Sequence, residues 1–411
     1  MELRDYQKEL ANKATSLLKE HSIAYIAAQV RVGKSLISLE TARLFGAKKV
    51  LFITKLKAIS SIEKDYQDFK FVYKLKVINY EQAHKETDKY DLYIIDEAHS
   101  LGAYPKPSGR AVTLKELCSE KPIIFLSGTP TPESYSQMYH QFYVSNKSPW
   151  KEHSSFYKWF KIYGIPRVKY VYNRQINDYT LAKKDEIMKD VNHLIITFTQ
   201  EEAGFESFVE EEILYVPMDA KVRQSIKMLK RDKILNTKDG RVILADTAVK
   251  EMQKIHQLCS GTIKCEDGST IVFDNTKALF IKERFEGQKI AIFYKFIAEM
   301  ELLKQTFGDR VITNPVEFNK AGKDAVFISQ VVSGREGINL SSADALVMYN
   351  IDFSALSYWQ SRARMQTKDR TQASKLYWIF TEGGIEDKVL TAVSDKKDFT
   401  VSYYKKIPLI L

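Results

Sequence analysis

Short apolar runs alternate with amphipathic stretches through the first part of the chain. Ala24–Ala28, Val50–Ile53, Val77–Ile78, Leu92–Ile95 and Ile123–Leu126 have the length of buried strands. Between them, Ile59–Phe69 and Leu114–Cys118 carry helical spacing. Near-continuous apolar strands separated by helices predict a parallel sheet covered on both faces. A second series follows at Ile290–Phe293, Ala325–Ile328, Ala345–Tyr349 and Leu376–Phe380. The pattern therefore predicts an α/β fold with two parallel-sheet domains in tandem. The boundary is expected near Glu210–Asp219, where an acidic run gives way to Pro217. Residues 1–215 then form an N-terminal lobe and residues 216–411 a C-terminal lobe. Helical stretches at Lys221–Ile234 and Val249–Leu258 make a bridge over about 216–285 into the second sheet.

One stretch breaks the alternation. Trp150–Tyr179, within an insertion expected at about 145–195, is basic and rich in aromatics. Two readings apply: the aromatics pack an insertion core, or they interleave with the cations to hold a nucleic-acid strand. Packing is favoured for the aromatics, with some of the cations facing DNA. No wedge hairpin is obvious, and Arg167–Gln175 is a stretch able to form one.

Bulk composition narrows the function class. The chain has 411 residues, 44% hydrophobic, with a formal net charge of +10. That charge suits a polyanionic partner. No apolar run approaches the ~20 residues of a membrane span, and the charged start Met1–Gln7 does not read as a signal peptide. Cys118, Cys259 and Cys265 are too few and too scattered for a disulfide framework, and His256, Cys259 and Cys265 lack a nearby fourth zinc ligand. A reducing, cytoplasmic compartment is expected.

The chemistry concentrates at strand ends. Asp96-Glu97-Ala98-His99 follows the run Tyr90–Ile95. Carboxylates at the C-terminal lip of a parallel strand lie where open α/β sheets bind ligands. One can hold hydrated Mg²⁺ and the next can orient water for attack on a phosphate. About 60 residues upstream, the strand Ala24–Ala28 leads through Gln29-Val30-Arg31-Val32 to Gly33-Lys34-Ser35 and a helix start. Strand, glycine turn and helix N-terminus form a phosphate-binding context. Gly33 allows close backbone approach, Lys34 neutralises the β and γ phosphates, and the Ser35 hydroxyl ligates Mg²⁺. Two positions depart from the usual loop: Ala28 stands where a glycine is common, and so does Arg31. Gln7, about one helix upstream, carries an amide able to read an adenine edge. Ser127-Gly128-Thr129-Pro130 ends the Ile123–Leu126 strand on the same lip as Asp96. In the second half, Ser333-Gly334-Arg335-Glu336-Gly337 follows a strand, and Gln360, Arg362, Arg364 and Arg370 lie on an expected helix. Arginines there can reach a γ-phosphate across an interdomain cleft.

In this order, the segments LRDYQ, AQVRVGKS, DEAH, SGTP, SGREGINLSSADALVMYN and YWQSRARMQTKDR resemble the motifs of superfamily 2 helicases and translocases, most closely the Swi/Snf-type ATPases. LYVPMDAKVRQSIKMLK, MQKIHQLCSG and NTKALFIKERFEGQKIAIFYKF are similar to that family's bridge into the second motor lobe. The resemblance covers nearly the whole chain in a compact form of the kind found in phages and bacteria.

The resemblance implies two RecA-like lobes with ATP between them and Mg²⁺ as cofactor. Gln7, Arg31, Gly33, Lys34, Ser35 and Gly337 are the implied nucleotide contacts, with Ser35 and Asp96 on the metal. Glu97 is the implied water-activating group, and Arg364 with Arg370 or Arg362 the implied arginine pair. Thr367 stands where the family places its second arginine. His99, Ser127, Thr129 and Gln360 are implied to couple the nucleotide to the track. Thr54, Lys55, Asn79, Tyr80, Ser333 and Gly334 are implied nucleic-acid contacts, Thr54 and Asn79 being equally readable as strand-end caps. The implied activity is a DNA-stimulated ATPase that moves on duplex or branched DNA, with a protein partner recruiting it to a DNA site. A strand-separating or branch-migrating helicase and a nucleic-acid-binding module of weak turnover are the alternatives.

Overall fold

The structure is a computed structural model that describes residues 2–29, 31–171, 174–204, 209–237, 239–331, 340, 342–354, 358 and 374–394. Ser333, Gly334, Gly337, Gln360, Arg362, Arg364, Thr367 and Arg370 lie outside the described residues. The chain divides into two compact units, Met1–Gly204 and Phe205–Leu411. Each is built on a six-stranded parallel sheet flanked by helices, and the fold class is the expected α/β pair of RecA-like domains with helical insertions.

In the first unit the strands are β1 (Ile23–Ala28), β2 (Lys49–Thr54), β3 (Lys74–Asn79), β4 (Leu92–Ile95), β5 (Ile123–Leu126) and, after the insertion, β8 (Ile195–Phe198). Their spatial order is β3-β2-β4-β5-β1-β8. Every side chain of β4 and β5 is buried, as two covered faces require. β8 escapes the apolar-run reading because it is a short edge strand in which only Ile196 is buried and Thr197 is exposed. Helices α1 (Asp5–His21), α2 (Lys34–Phe45), α3 (Ile59–Asp68) and α4 (Gly109–Cys118) cover the sheet.

The insertion holds α5 (Gln137–Phe142), α6 (Phe156–Tyr163), the antiparallel pair β6 (Arg167–Val171) and β7 (Arg174–Asp178), and α7 (Lys184–Val191). Its large aromatics pack inward, in line with the packing reading: Trp150, Phe156, Trp159 and Phe160 are buried in the same apolar cluster as β1, β4 and β5. Asp190 ties the insertion together by accepting from Trp150 Nε1 at 2.9 Å and Tyr163 Oη at 2.6 Å.

The second sheet runs β15-β16-β14-β17-β18-β9, with β9 (Val209–Val216), β14 (Ile290–Tyr294), β15 (Val311–Ile312), β16 (Val326–Gln330), β17 (Ala345–Met348) and β18 (Ser374–Thr381). β9 pairs in parallel with β18 from Val209 to Val216. The sequence reading ended the first lobe at 215, whereas this strand is built into the second unit. Two small antiparallel pairs, β10 (Ile234–Asn236) with β11 (Val242–Leu244) and β12 (Thr262–Lys264) with β13 (Thr270–Val272), accompany helices α8 (Ala220–Asp232) and α9 (Ala248–Cys259). Helices α10 (Thr276–Arg284), α11 (Ile297–Phe307), α12 (Pro315–Lys320) and α13 (Glu386–Ser394) complete the unit. Cys118, Cys259 and Cys265 are all buried as free thiols. Among the described residues no helix is long and apolar enough to cross a membrane.

A buried ion pair joins α10 to α13. Lys277 Nζ lies 3.0 Å from Glu386 Oε1, with side-chain exposures of 3% and 1%. The lysine also donates to the Tyr349 carbonyl. Removing one partner strands a charge in an apolar core. Lys277→Met alone is expected to cost about 3–5 kcal/mol, whereas Lys277→Met with Glu386→Leu recovers most of it. Urea unfolding of the full chain, followed by a probe in the second unit, measures both.

Candidate active site

The parallel register places the chemistry on one lip. Ile26 pairs with Leu126 and Ile95 with Phe125, so Gln29, Ser127 and Asp96 all lie at the C-terminal ends of adjacent strands. β5 separates β1 from β4, which puts Ser127 between the phosphate loop and the acidic pair.

The loop leaves β1 and turns twice through left-handed backbone. Gly33 has φ +84° and Arg31 φ +67°. Gly33 caps α2, whose first hydrogen bond runs from Ile37 N to the Gly33 carbonyl at 3.0 Å. The N–H groups of that first turn face the loop mouth and suit an anion. Lys34 bends back and donates to the carbonyls of Ala28 at 2.9 Å and Gln29 at 3.1 Å. Arg31 thus occupies a conformation that glycine adopts without cost, which gives a physical reason for the glycine usual there.

Gln7 grips the loop from α1. Its Oε1 accepts from Arg4 N at 3.0 Å, and its Nε2 lies 3.4 Å from the Val32 carbonyl. A Cβ on Gly33 would stand 2.2 Å from Gln7 Nε2, so only glycine permits this approach. Gln7 is 5% exposed. Its amide is engaged with backbone, where the sequence reading gave it an adenine edge. Tyr6, which that reading left unassigned, donates to the same Val32 carbonyl at 3.2 Å and stacks on Phe198 with centroids 5.1 Å apart. On the other side, Gln29 N donates to the Phe198 carbonyl and Gln29 Oε1 accepts from Gln200 N, each at 2.9 Å. The loop is therefore held between α1 and the end of β8.

Asp96 sits at the end of β4 with both carboxylate oxygens oriented. Thr54 Oγ1 donates to Oδ2 at 2.8 Å, and Glu97 N donates to Oδ1 at 2.9 Å. Burial, then the neighbouring Glu97 charge, raise Asp96 to about 6, against the opposing pull of Thr54 and Lys34. Glu97 itself has φ +53°, a left-handed turn at a non-glycine residue. His99 Nδ1 lies 3.3 Å from Glu97 Oε2 and 3.1 Å from Ser127 Oγ. Ser127 Oγ in turn accepts from Thr129 N at 3.2 Å. Glu97, His99, Ser127 and Thr129 thus form one connected polar path across the lip. Gln141 extends it: its Oε1 accepts from Tyr25 Oη at 2.6 Å and its Nε2 donates to the Pro130 carbonyl at 2.8 Å.

Three of the expected nucleic-acid residues have intramolecular partners for their side chains. Thr54 is fully buried and its hydroxyl serves Asp96. Asn79 caps the turn that follows β3, its Oδ1 accepting from Gln82 N at 2.9 Å. Tyr80 is 5% exposed and donates to the Asp96 carbonyl, with the Arg110 guanidinium 5.0 Å over its ring. Thr54 and Tyr80 turn inward onto the acidic turn, and Asn79 holds the turn that carries Tyr80. Lys55 is the half-buried member of the set at the end of β2. The alternation of a strand end gives too few residues to tell inward from outward, so only the cap reading of Thr54 and Asn79 had a sequence signal.

Ser35 and Asp96 offer a hydroxyl and a carboxylate, hard oxygen donors of the kind Mg²⁺ takes one or two at a time, with phosphate and water completing its shell. Among the described residues no group of three or more His, Cys, Asp or Glu side chains is placed to hold a metal. His256 has no ligand cluster around it and lies buried against the Phe353 ring, 4.7 Å between centroids.

Comparison with known proteins follows the same lines. The SNF2-related domain matches residues 43–262, from within α2 through Asp96 and Ser127 to β12. A Drosophila melanogaster protein, the homologue of SWI/SNF-related matrix-associated actin-dependent regulator of chromatin subfamily A containing DEAD/H box 1, is 24% identical over 184 residues, which are 38% of this chain and 21% of that protein. The CHD3-type chromatin-remodeling factor PICKLE of Arabidopsis thaliana is 20% identical over 356 residues, 78% of this chain and 24% of that protein. The chain thus spans about a quarter or less of the length of these relatives. Among solved structures, the Sulfolobus solfataricus SWI2/SNF2 ATPase core domain aligns over 99% of this chain and 93% of its own, at 15% identity and a TM-score of 0.44. With the family's domain matching more than half of its length, this chain belongs to the SNF2-related, Swi/Snf-type helicase-like ATPases of superfamily 2.

Proposed function

We propose that this protein is an ATP-dependent DNA motor that couples ATP hydrolysis to movement on duplex DNA, remodelling the DNA or displacing protein bound to it. The observation that carries the reading is the shared lip: the loop to Gly33-Lys34-Ser35 leaves β1, Asp96-Glu97 follows β4, and Glu97 is linked through His99 to Ser127 at the end of β5, the strand between them. Family membership supports nucleotide use, and two relatives are named for regulating and remodelling chromatin.

In this mechanism Lys34 leaves the carbonyls of Ala28 and Gln29 for the phosphates of ATP. Ser35 and Asp96 would hold Mg²⁺, which when bound would supply positive charge opposite that developing on the phosphate oxygens. Glu97 orients the attacking water and takes its proton. His99 and Ser127 carry the state of Glu97 to the loop Ser127–Pro130. Arg364, with Arg370 or Arg362, is the proposed source of positive charge toward the γ-phosphate, and Gly337 a proposed nucleotide contact. Gln360 joins the coupling set. Lys55, Ser333 and Gly334 contact the DNA backbone, the side chains of Thr54, Asn79 and Tyr80 being occupied elsewhere. Alternating closure of the lobes then steps the motor along its track in the cytoplasm, with a protein partner directing it to a site.

Lys34→Ala is expected to abolish ATP hydrolysis with the fold intact by circular dichroism. Glu97→Gln is expected to bind ATP as the parent does while turnover drops about 100-fold or more. Normal turnover in either variant would remove that residue from its role. Hydrolysis is also expected to rise on adding duplex DNA at low salt and to fall as salt releases phosphate contacts. A flat response to every nucleic acid favours the binding-module alternative. At the loop, Arg31→Gly retains ATP binding within about twofold, because glycine adopts φ +67° freely, whereas β-branched Arg31→Val loses about tenfold or more. Titration with a fluorescent ATP analogue separates the two outcomes.

A further inference from the structure

We infer that the insertion of the first unit is a binding surface for DNA whose bases are opened or unpaired, a fork or branch point, in preference to unbroken duplex. This rests on the DNA-motor reading and specifies its substrate.

Charge is concentrated there. Residues 151–184 contain eight Lys and Arg against two Asp and Glu, a formal +6 of the chain's +10. Exposed apolar surface is concentrated in the same place. Among the described residues, six of the sixteen exposed large apolar side chains fall between Tyr157 and Leu181. The two features share elements. On α6, Phe156, Trp159 and Phe160 are buried, leaving Tyr157, Lys158, Lys161 and Ile162 on the outer face. Tyr157 is 45% exposed and Ile162 52%. Lys158 and Lys161 are exposed beside them.

The β6–β7 ribbon continues this surface with an unusual property. Val168 pairs with Asn177 and Ile176 with Lys169, which sets Val168 and Ile176 on opposite faces of the ribbon. Val168 is 47% exposed and Ile176 40%, so neither face is covered. A two-stranded ribbon without a covering layer is marginal by itself. This one is fixed at its root. Ser134 Oγ donates to the Thr180 carbonyl at 2.5 Å and Ser136 Oγ to the Tyr179 carbonyl at 2.7 Å. Ile165 N donates to the Leu181 carbonyl at 2.9 Å and Lys183 N to the Tyr163 carbonyl at 2.7 Å. Ser134 and Ser136 directly follow the loop Ser127–Pro130, so the ribbon stands on the segment that ends the polar path from Glu97.

Phosphates explain the cations and nothing else. Duplex DNA hides its apolar base faces within the stack, and unbroken duplex offers Val168 and Ile176 only groove edges. Opened bases present those faces, and apolar side chains stack on them or wedge between them. A ribbon with an apolar side chain on each face and a cation at its base, Arg167, can take one separated strand on either side. The surface therefore fits a branch point better than a continuous helix.

Fluorescence anisotropy with the full chain, comparing a forked duplex with a matched unbroken duplex, tests this. The parent is expected to bind the fork about tenfold tighter, the scale of one stacked base. Val168→Ser with Ile176→Ser is expected to bring the two affinities within about twofold while duplex binding and basal ATP hydrolysis stay unchanged. Lys158→Gln with Lys161→Gln is expected to weaken both alike, with a shallower salt dependence. Equal affinity of the parent for both DNAs, or a fork preference that survives Val168→Ser/Ile176→Ser, overturns the inference. Fork preference without any DNA-stimulated hydrolysis overturns the motor reading and leaves this one standing.

Discussion

The first unit is organised around the Asp96 carboxylate. Taking a carboxylate partly out of water at the end of an apolar strand is costly unless its oxygens are hydrogen-bonded. Here Thr54 and the Glu97 amide supply those bonds, from the end of β2 and from the turn itself. The same arrangement forces Glu97 into left-handed backbone, which turns its side chain back toward His99. Tyr80 fixes the Asp96 carbonyl from the end of β3. Three strand ends thus converge on one residue, and burial, then the negative charge concentrated there with Glu97, raises the pKa of Asp96. A cation held by Asp96, as the proposed function has it, would relieve that concentration, so a feature that costs the fold stability would favour binding of the metal.

Much of this was legible in the sequence because parallel strands buried on both faces leave a strong apolar signature, and ligands collect where those strands end. The loop at Gly33-Lys34-Ser35 and the pair Asp96-Glu97 are found by that logic alone. Residues at the strand ends are harder. Thr54, Asn79 and Tyr80 follow apolar runs just as surface contacts would, and only the positions of Asp96 and Gln82 show them facing inward. Gln7 has the chemistry to read a base, yet its partner is a backbone carbonyl brought near by the packing of α1 on α2, a relation between elements that local spacing does not encode. β8 and β9 were missed for a similar reason: edge strands are partly exposed or carry acids, so they lack the apolar run that marks the inner strands.

The division between the units follows from the same physics. β9 is acidic over Glu210–Glu212, which at the sequence level reads as a linker, yet the full register with β18 makes it an edge strand of the second sheet. Its position lengthens the second unit at the N-terminal side. The region matched to the SNF2-related domain crosses this division, so the family signal spans both units while beginning after the phosphate loop. The loop's identity therefore rests on its own geometry: a strand end, a left-handed glycine capping a helix, and a lysine folded over the turn.

The departures from the usual loop become intelligible on that geometry. A glycine in the loop serves one of two needs, positive φ or close approach. At Gly33 both apply, since φ is +84° and a Cβ would push the Gln7 amide from its place against the loop. At Arg31 only the first applies, and an unbranched side chain tolerates left-handed backbone at modest cost. Ala28 lies within the regular strand β1, paired with Phe198, where neither need arises. The substitutions thus fall where the backbone can absorb them, and glycine persists at the position where it cannot be replaced. The two departures therefore leave the backbone path of the loop intact, with Gly33 capping α2 and Lys34 folded over the turn.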